Sequence, residues 1–257
     1  MRNSIARTRA VYDGMAAALP GLLFMNSGLV EDGAAAFGWI RAEDLPHKYH
    51  LALVRRALEG VDLAGRSVLE IGSGRGGNCY YLSRYTGAHR AIGVDSSIGN
   101  AIGASRLGAP RTHFICADAA SLPFRANAFG VVLDIEWSPT YPQFAHLLGQ
   151  VQRVLAPGGS FIYMDLWNDT SADDVWCAKR EALWAAPLEL TSSDNVTEDV
   201  FRALGRTDGL EALLRRVETD ANRALIERIL GHAAATRESL AVGYYIARIL
   251  RFTKKEN

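Results

Sequence analysis

The chain has 257 residues, and 28 Lys and Arg balance 28 Asp and Glu, so the formal net charge is zero. Without a global positive field, a role resting on the phosphate backbone of nucleic acid is disfavoured. Hydrophobic residues make up 49%, which excludes a disordered chain and can fill a sizeable core.

The N-terminal stretch begins basic and turns apolar. Arg7, Arg9, Tyr12 and Asp13 interrupt it and Pro20 splits the remainder, so the apolar core of a secretion signal is missing. No run approaches the roughly 18 uncharged apolar residues of a membrane span. Cys79, Cys116 and Cys177 are scattered without a CxxC pair, against a disulfide framework or structural zinc. A cytoplasmic protein is expected, without a membrane span.

Residues 4–58 read as helical, with a Gly/Asn loop from Asn26 to Gly38. The rhythm then changes. Ser67–Ile71, Ala91–Asp95, Thr112–Ala117, Gly130–Ile135 and Ser160–Asp165 are short apolar runs, with helices expected at 75–87, 98–107 and 141–155. Such alternation predicts a parallel sheet covered on both faces. Beyond residue 171 come a helix to about 186, a strand at Pro187–Thr191 and a long helix over 197–233. In the last, Leu210, Leu213, Leu214, Val217, Ala221, Leu225, Ile229 and Leu230 form one stripe. Gly243–Thr253 reads as a final strand. The fold class is α/β: a Rossmann-like, mostly parallel seven-stranded sheet with helices on both faces, an N-terminal helical cap and a helical insertion before the last strand.

The informative segment is Val68-Leu69-Glu70-Ile71-Gly72-Ser73-Gly74-Arg75-Gly76-Gly77. A strand runs into glycines and a helix follows, as a tight turn with close backbone approach to a ligand requires. Gly72, Gly74 and Gly77 fit GxGxxG, a pattern shared with nicotinamide sites. Three acids favour S-adenosylmethionine. Glu70 before the first glycine would repel a pyrophosphate but suits an ammonium and a sulfonium. Asp95 closes the next strand, where it can accept from ribose hydroxyls. Asp118 follows the third strand, where it can accept from an adenine amino group. No YxxxK pair, which a short-chain dehydrogenase would need, is present.

VLEIGSGRGG, Asp95, DAASLPF and RVLAPGG (Arg153–Gly159), in this order, resemble the class I S-adenosylmethionine-dependent methyltransferases. Met25-Asn26-Ser27-Gly28, Tyr49-His50, Glu136-x-Ser138-x-x-Tyr141 and Asp194-Asn195-Val196 resemble a bacterial subgroup of these, the phthiotriol and fatty-acid O-methyltransferases. Where that subgroup carries a His after the fourth strand, this chain has Pro139. The chain is read as a single methyltransferase domain, 1–257, with a cap at 1–60, a cofactor-binding core at 61–170 and substrate-side elements at 171–257.

Site roles follow from the motifs and the resemblance. Glu70, Gly72, Ser73 and Gly74 are expected at the amino-acid end of the cofactor, Asp95 and Ser96 at the ribose, and Asp118 and Ala119 at the adenine. Asn26 is implied as a cap residue over the cofactor. Glu136 is expected to face both the methionine part and the substrate. The catalytic set is His50, Glu136 and Tyr141, with His47, His146 and Asp165 as further base candidates. No metal is expected, although Glu136, Asp165, Asn168 and Asp169 offer hard oxygen ligands. Phe24, Phe37 and all five tryptophans are expected around the pocket mouth, which favours an apolar small-molecule substrate such as a lipid or polyketide. A homodimer is compatible with the sequence. Hydroxyl methylation is the leading function. The alternatives are carbon or nitrogen methylation, a methyltransferase-fold cyclase (suggested by Pro139) and a nicotinamide oxidoreductase.

Overall fold

The computed structural model describes residues 2–19, 22–33, 36–136, 144–168, 174–206 and 219–256. Helix α1 (Arg2–Ala18) leads into an irregular segment, a 3-10 turn (Ala42–His47) and α2 (Lys48–Ala57). The alternating centre follows: β1 (Ser67–Ile71), α3 (Gly77–Tyr85), β2 (Arg90–Asp95), α4 (Ile98–Ser105), β3 (Thr112–Cys116), β4 (Phe129–Ile135), α5 (Phe144–Val154) and β5 (Leu155–Trp167). The last part holds α6 (Asp174–Ala185), β6 (Leu188–Asn195), α7 (Thr197–Leu204), α8 (Asp220–Ala241) and β7 (Ile246–Lys254).

One seven-stranded sheet forms in the order β3-β2-β1-β4-β5-β7-β6. The strands from β3 to β5 pair in parallel, and β7 runs antiparallel between β5 and β6. Parallel strands covered on both faces must be apolar throughout. Accordingly β1, β2 and β4 are buried along nearly their whole length. The period of two divides the core. Val68, Val131 and Leu133 pack beneath α2 and α3. Leu69, Ile71 and Val132 pack beneath α5. Register sets Ile71 beside Val94 on β2 and Asp134 on β4, so the C-terminal strand ends form one rim. Ligands of open α/β sheets bind at such a rim.

Three expectations change. The single helix over 197–233 is replaced by α7, ending at Leu204, and by α8, which runs to Ala241. Thr219 caps α8 by accepting from the Asn222 amide at 3.2 Å, so a new helix starts there. Leu210, Leu213, Leu214 and Val217 lie outside the described residues. β5 begins at Leu155, ahead of the expected Ser160, and so takes in Pro157-Gly158-Gly159, and β6 is longer than Pro187–Thr191 because it pairs with β7 as far as Asn195. The described tryptophan side chains Trp39, Trp167 and Trp184 do not gather at one mouth: Trp167 is buried in the core beneath α5, Trp39 packs edge-on against Tyr81 and Tyr85, and Trp184 is exposed. Trp137 lies outside the described residues.

Candidate active site

The turn after β1 is fixed from β2. Gly72 N and Ser73 N both donate to the Val94 carbonyl, at 2.8 and 3.0 Å. Gly72, Gly74 and Gly76 have φ of +70°, +50° and +82°, the left-handed region that glycine enters at little cost. Asp95, at the end of β2, closes the turn from the far side. Its Oδ2 accepts from Gly74 N at 2.8 Å, and its Oδ1 accepts from Ser97 N at 2.8 Å. Burial raises the Asp95 pKa, opposed by these amide donors. Ser73 is buried under the turn, and the Ser96 carbonyl accepts from Cys116 Sγ at 3.6 Å. Further along the rim Asp118 accepts from the Ala120 amide at 2.9 Å, with Ala119 buried beside it. His146 Nε2 lies 2.9 Å from the Ala120 carbonyl, so this base candidate sits beside the Asp118 turn.

A strap formed by residues 24–28 crosses this turn. Phe24 stacks on His50, with ring centroids 5.6 Å apart. A Cβ built on Gly74 would meet only Met25 Sδ, at 3.7 Å, so at Gly74 the turn backbone is open except where Met25 borders it, whereas Gly76 and Gly77 are packed against Phe114 and Phe24. Asn26 Nδ2 donates to Asn78 Oδ1 at 3.2 Å, and Asn78 Nδ2 donates to Glu70 Oε1 at 2.7 Å. Glu70 shares its strand face with Val68, beneath α3, which is why Asn78 and Cys79 Sγ reach its two oxygens. On the other side of Asn26, its backbone carbonyl lies 2.9 Å from His50 Nδ1. A carbonyl can only accept, so Nδ1 carries the proton and Nε2 keeps the lone pair. Burial lowers the His50 pKa to about 4, and the imidazole is neutral at neutral pH.

Glu136 follows the last residue of β4 with φ +54°, a conformation costing a non-glycine residue about 1 kcal/mol. Its Oε2 accepts from both Ser27 N, at 2.8 Å, and Ser27 Oγ, at 2.9 Å. Its Oε1 is buried without a hydrogen-bond partner among the described residues. Burial pushes this carboxyl up to about 7. The strap thus brings Asn26, His50, Glu70 and Glu136 to one place, while Gly72, Gly74 and Asp95 lie beneath it. Tyr141 and Pro139 lie outside the described residues.

Sequence reasoning did not single out Asn78, Cys79 or Asp13. Asp13, on α1, accepts from Ser97 Oγ at 2.5 Å and from Gly99 N at 2.9 Å, so α1 seals the start of α4 beside Asp95. A buried group lies under α6, where Lys179 Nζ is 3.7 Å from Asp165 Oδ2 and Tyr163 donates to the same oxygen at 2.8 Å. Asp165 is therefore engaged inside the fold. Among the described residues, no three His, Cys, Asp or Glu are placed to hold a metal ion, and no helix is long and apolar enough to cross a membrane.

Glu70 makes stability depend on pH. Burial lifts its carboxyl from 4.5 to about 7. Between those values the folded chain holds a proton that the unfolded chain has released, so this stability is present at acid pH and lost as pH rises towards 7. Above it, ionised Glu70 costs about 3 kcal/mol. Glu70→Gln is expected to melt higher than the wild type at about pH 8 and to flatten the pH dependence. Thermal denaturation at about pH 5 and pH 8 checks this.

The turn, its acids and the strap fit S-adenosylmethionine: the backbone at Gly74 lies open beside Met25, and the carboxyls of Asp95 and Glu70 brace the turn that a sulfonium and an ammonium would approach. Comparisons with known proteins agree. Residues 68–159 match the model of a methyltransferase domain family. The phthiotriol/phenolphthiotriol dimycocerosates methyltransferase of Mycobacterium tuberculosis is 36% identical over 185 residues, covering 72% of this chain and 67% of that one. The fatty-acid O-methyltransferase of Mycolicibacterium smegmatis is 31% identical over 235 residues, 91% of this chain and 84% of its own. Among solved structures, the [4+2]-cyclase SpnF superposes with a TM-score of 0.77 at 19% identity, covering 97% of this chain and 96% of that one. A geranyl diphosphate C-methyltransferase from Streptomyces coelicolor, solved with S-adenosyl-L-homocysteine, gives a TM-score of 0.67 at 17% identity, with 95% and 98% covered. At these identities the structural likeness speaks for the fold alone. The sequence relatives together with the glycine turn place the chain in the S-adenosylmethionine-dependent methyltransferases, in the family of the phthiotriol and fatty-acid O-methyltransferases.

Proposed function

We propose that the protein transfers the methyl group of S-adenosylmethionine to a hydroxyl of an apolar small molecule of lipid or polyketide type. The observation that carries this reading is the strap over the glycine turn. Its acids, Glu70 (through Asn78) and Glu136 (through Ser27), offer negative charge to a cationic cofactor, while Met25 offers apolar surface beside it. The names of two relatives, a phthiotriol methyltransferase and a fatty-acid O-methyltransferase, point the same way.

When bound, the cofactor supplies a methyl carbon already activated by its sulfonium. The chain must then hold the acceptor in line, exclude water and receive a proton. In this reading Gly72, Ser73 and Gly74 border the amino-acid end with Glu70 behind them, and Asp95 and Ser96 hold the ribose. Asp118 and Ala119 border the adenine, and Asn26 closes the strap. His50, Glu136 and Tyr141 form the acceptor side, His50 as a neutral imidazole that fixes Asn26.

S-adenosylmethionine is expected to raise the melting temperature, whereas NAD is not. Incubation with methyl-labelled cofactor and a lipid extract is expected to label an ether or ester. Label recovered on carbon or nitrogen would overturn the hydroxyl assignment. Cofactor binding without any S-adenosylhomocysteine formed would favour a cyclase.

A further inference from the structure

Glu136 combines three features that its neighbours lack together. Its backbone is held at φ +54°, its Oε2 takes two hydrogen bonds from one residue, and its Oε1 is buried with no hydrogen-bond partner among the described residues. The Ser27 N–H can only donate, and with the hydroxyl also donating, both lone-pair directions of Oε2 are used. A proton on this carboxyl therefore resides on Oε1. Ser27 is 109 residues away in sequence, so this polarity of the carboxyl is a product of the strap closing over β4.

We infer that Ser27 is a positioning residue that fixes the Glu136 carboxyl through Oε2, and that Oε1 is the proton acceptor for the hydroxyl that is methylated. This rests on the hydroxyl methyltransferase reading above. The proton leaves the acceptor O–H for Oε1 while the oxygen's electron pair forms the new bond to the methyl carbon, and the carbon–sulfur pair returns to sulfur. Glu136 lies three residues before Pro139, whose ring has no group that could take the proton. His50 is the weaker acceptor, since burial holds it near 4 and Glu136 near 7.

Several groups bear on this carboxyl. Asp165 on β5 acts on it as a like charge, and Lys179 on α6 lies against Asp165. His50 on α2 and Glu70 on β1 connect to the strap through Asn26 and Asn78. Of these contacts, the Ser27 hydrogen bonds favour the ionised form, so loss of the hydroxyl raises the carboxyl's apparent pKa.

The test uses the full chain as wild type, Ser27→Ala, Ser27→Thr and Glu136→Gln. Infrared difference spectra against pH identify the Glu136 carboxyl as the protonated-carboxyl band that Glu136→Gln lacks. Methyl transfer is followed to dodecanol, which must lose a proton, and to dodecanoate, which is already ionised at neutral pH. Ser27→Ala is expected to shift the band's titration upwards and to slow transfer to dodecanol about 10- to 100-fold. Glu136→Gln is expected to slow it by about 100-fold or more. Both are expected to slow dodecanoate transfer as well, through weaker cofactor binding, but to lower the ratio of dodecanol to dodecanoate transfer by about tenfold or more, and Ser27→Thr is expected to restore the wild-type titration. An unmoved titration in Ser27→Ala overturns the positioning role. Equal losses with dodecanol and dodecanoate overturn the proton-acceptor role, because a misfolded strap would harm both. If the wild type binds S-adenosylhomocysteine in calorimetry yet methylates neither probe, the hydroxyl reading falls and the acceptor role with it. The infrared arm still decides the role of Ser27 in that case.

Discussion

Asp95→Ala is expected to abolish the rise in melting temperature that S-adenosylmethionine gives the wild type, and to weaken binding more than about 100-fold in calorimetry. Two contributions add. A carboxylate accepting two ribose hydroxyls loses charge-assisted hydrogen bonds of about 1.5–3 kcal/mol each, and each 1.4 kcal/mol is about tenfold in affinity. The same substitution strands the Gly74 and Ser97 amides that Asp95 now receives, so the glycine turn loses its brace. The unliganded protein is therefore expected to melt lower as well. Calorimetry at a temperature where both forms are folded separates the two losses. A variant that keeps wild-type affinity would remove Asp95 from the cofactor site.

Gly77→Ala is expected to damage stability and cofactor binding together. A Cβ there would lie 2.5 Å from Phe24 Cδ1 and 2.7 Å from Cε1. Phe24 is itself 3% exposed and stacked on His50, so it cannot swing away without dragging the strap. Alanine gains up to about 1 kcal/mol of helix propensity over glycine, but overpacking of this kind typically costs about 1–3 kcal/mol. The net expectation is a lower melting temperature together with weaker cofactor binding, because the strap moves as a unit. Adding Phe24→Leu should relieve part of the clash, so the double variant should lose less than the two single losses added together. Strict additivity in thermal and binding measurements would show that Phe24 and Gly77 are not coupled.

Legibility in the sequence followed the physics of each element. β1, β2 and β4 were readable because buried parallel strands must be continuous apolar runs, and each ends in the glycine or acid that the rim requires. The placement of Glu70 was less open to reading. Its identity marked the site, but its pairing with Asn78 and Cys79 depends on the strand's period of two and on where α3 lands. Ser27 and Glu136 are joined only by tertiary folding, and no local pattern announces a contact across 109 residues. The stripe over 210–230 read as one helix because helical periodicity survives an interruption. The readable counter-signal was Thr219-Asp220, a capping residue followed by an acid at the start of α8. Trp167 misled because aromatic character alone does not tell a core position from a pocket wall.

The antiparallel seventh strand has a consequence for the order in which the sheet can be completed. β6 leaves the ribosome before β7, yet among the described residues its one neighbour in the finished sheet is β7, which also covers the open edge of β5. Until the final residues emerge, β5 and β6 both present unpaired backbone, the condition under which strands recruit foreign partners. The cofactor rim, by contrast, is built from β1 to β4 and needs none of those residues for its strands to pair. Synthesis therefore delivers the strands that pair around β1 first, and the edge of β5 is closed only once β7 has followed β6.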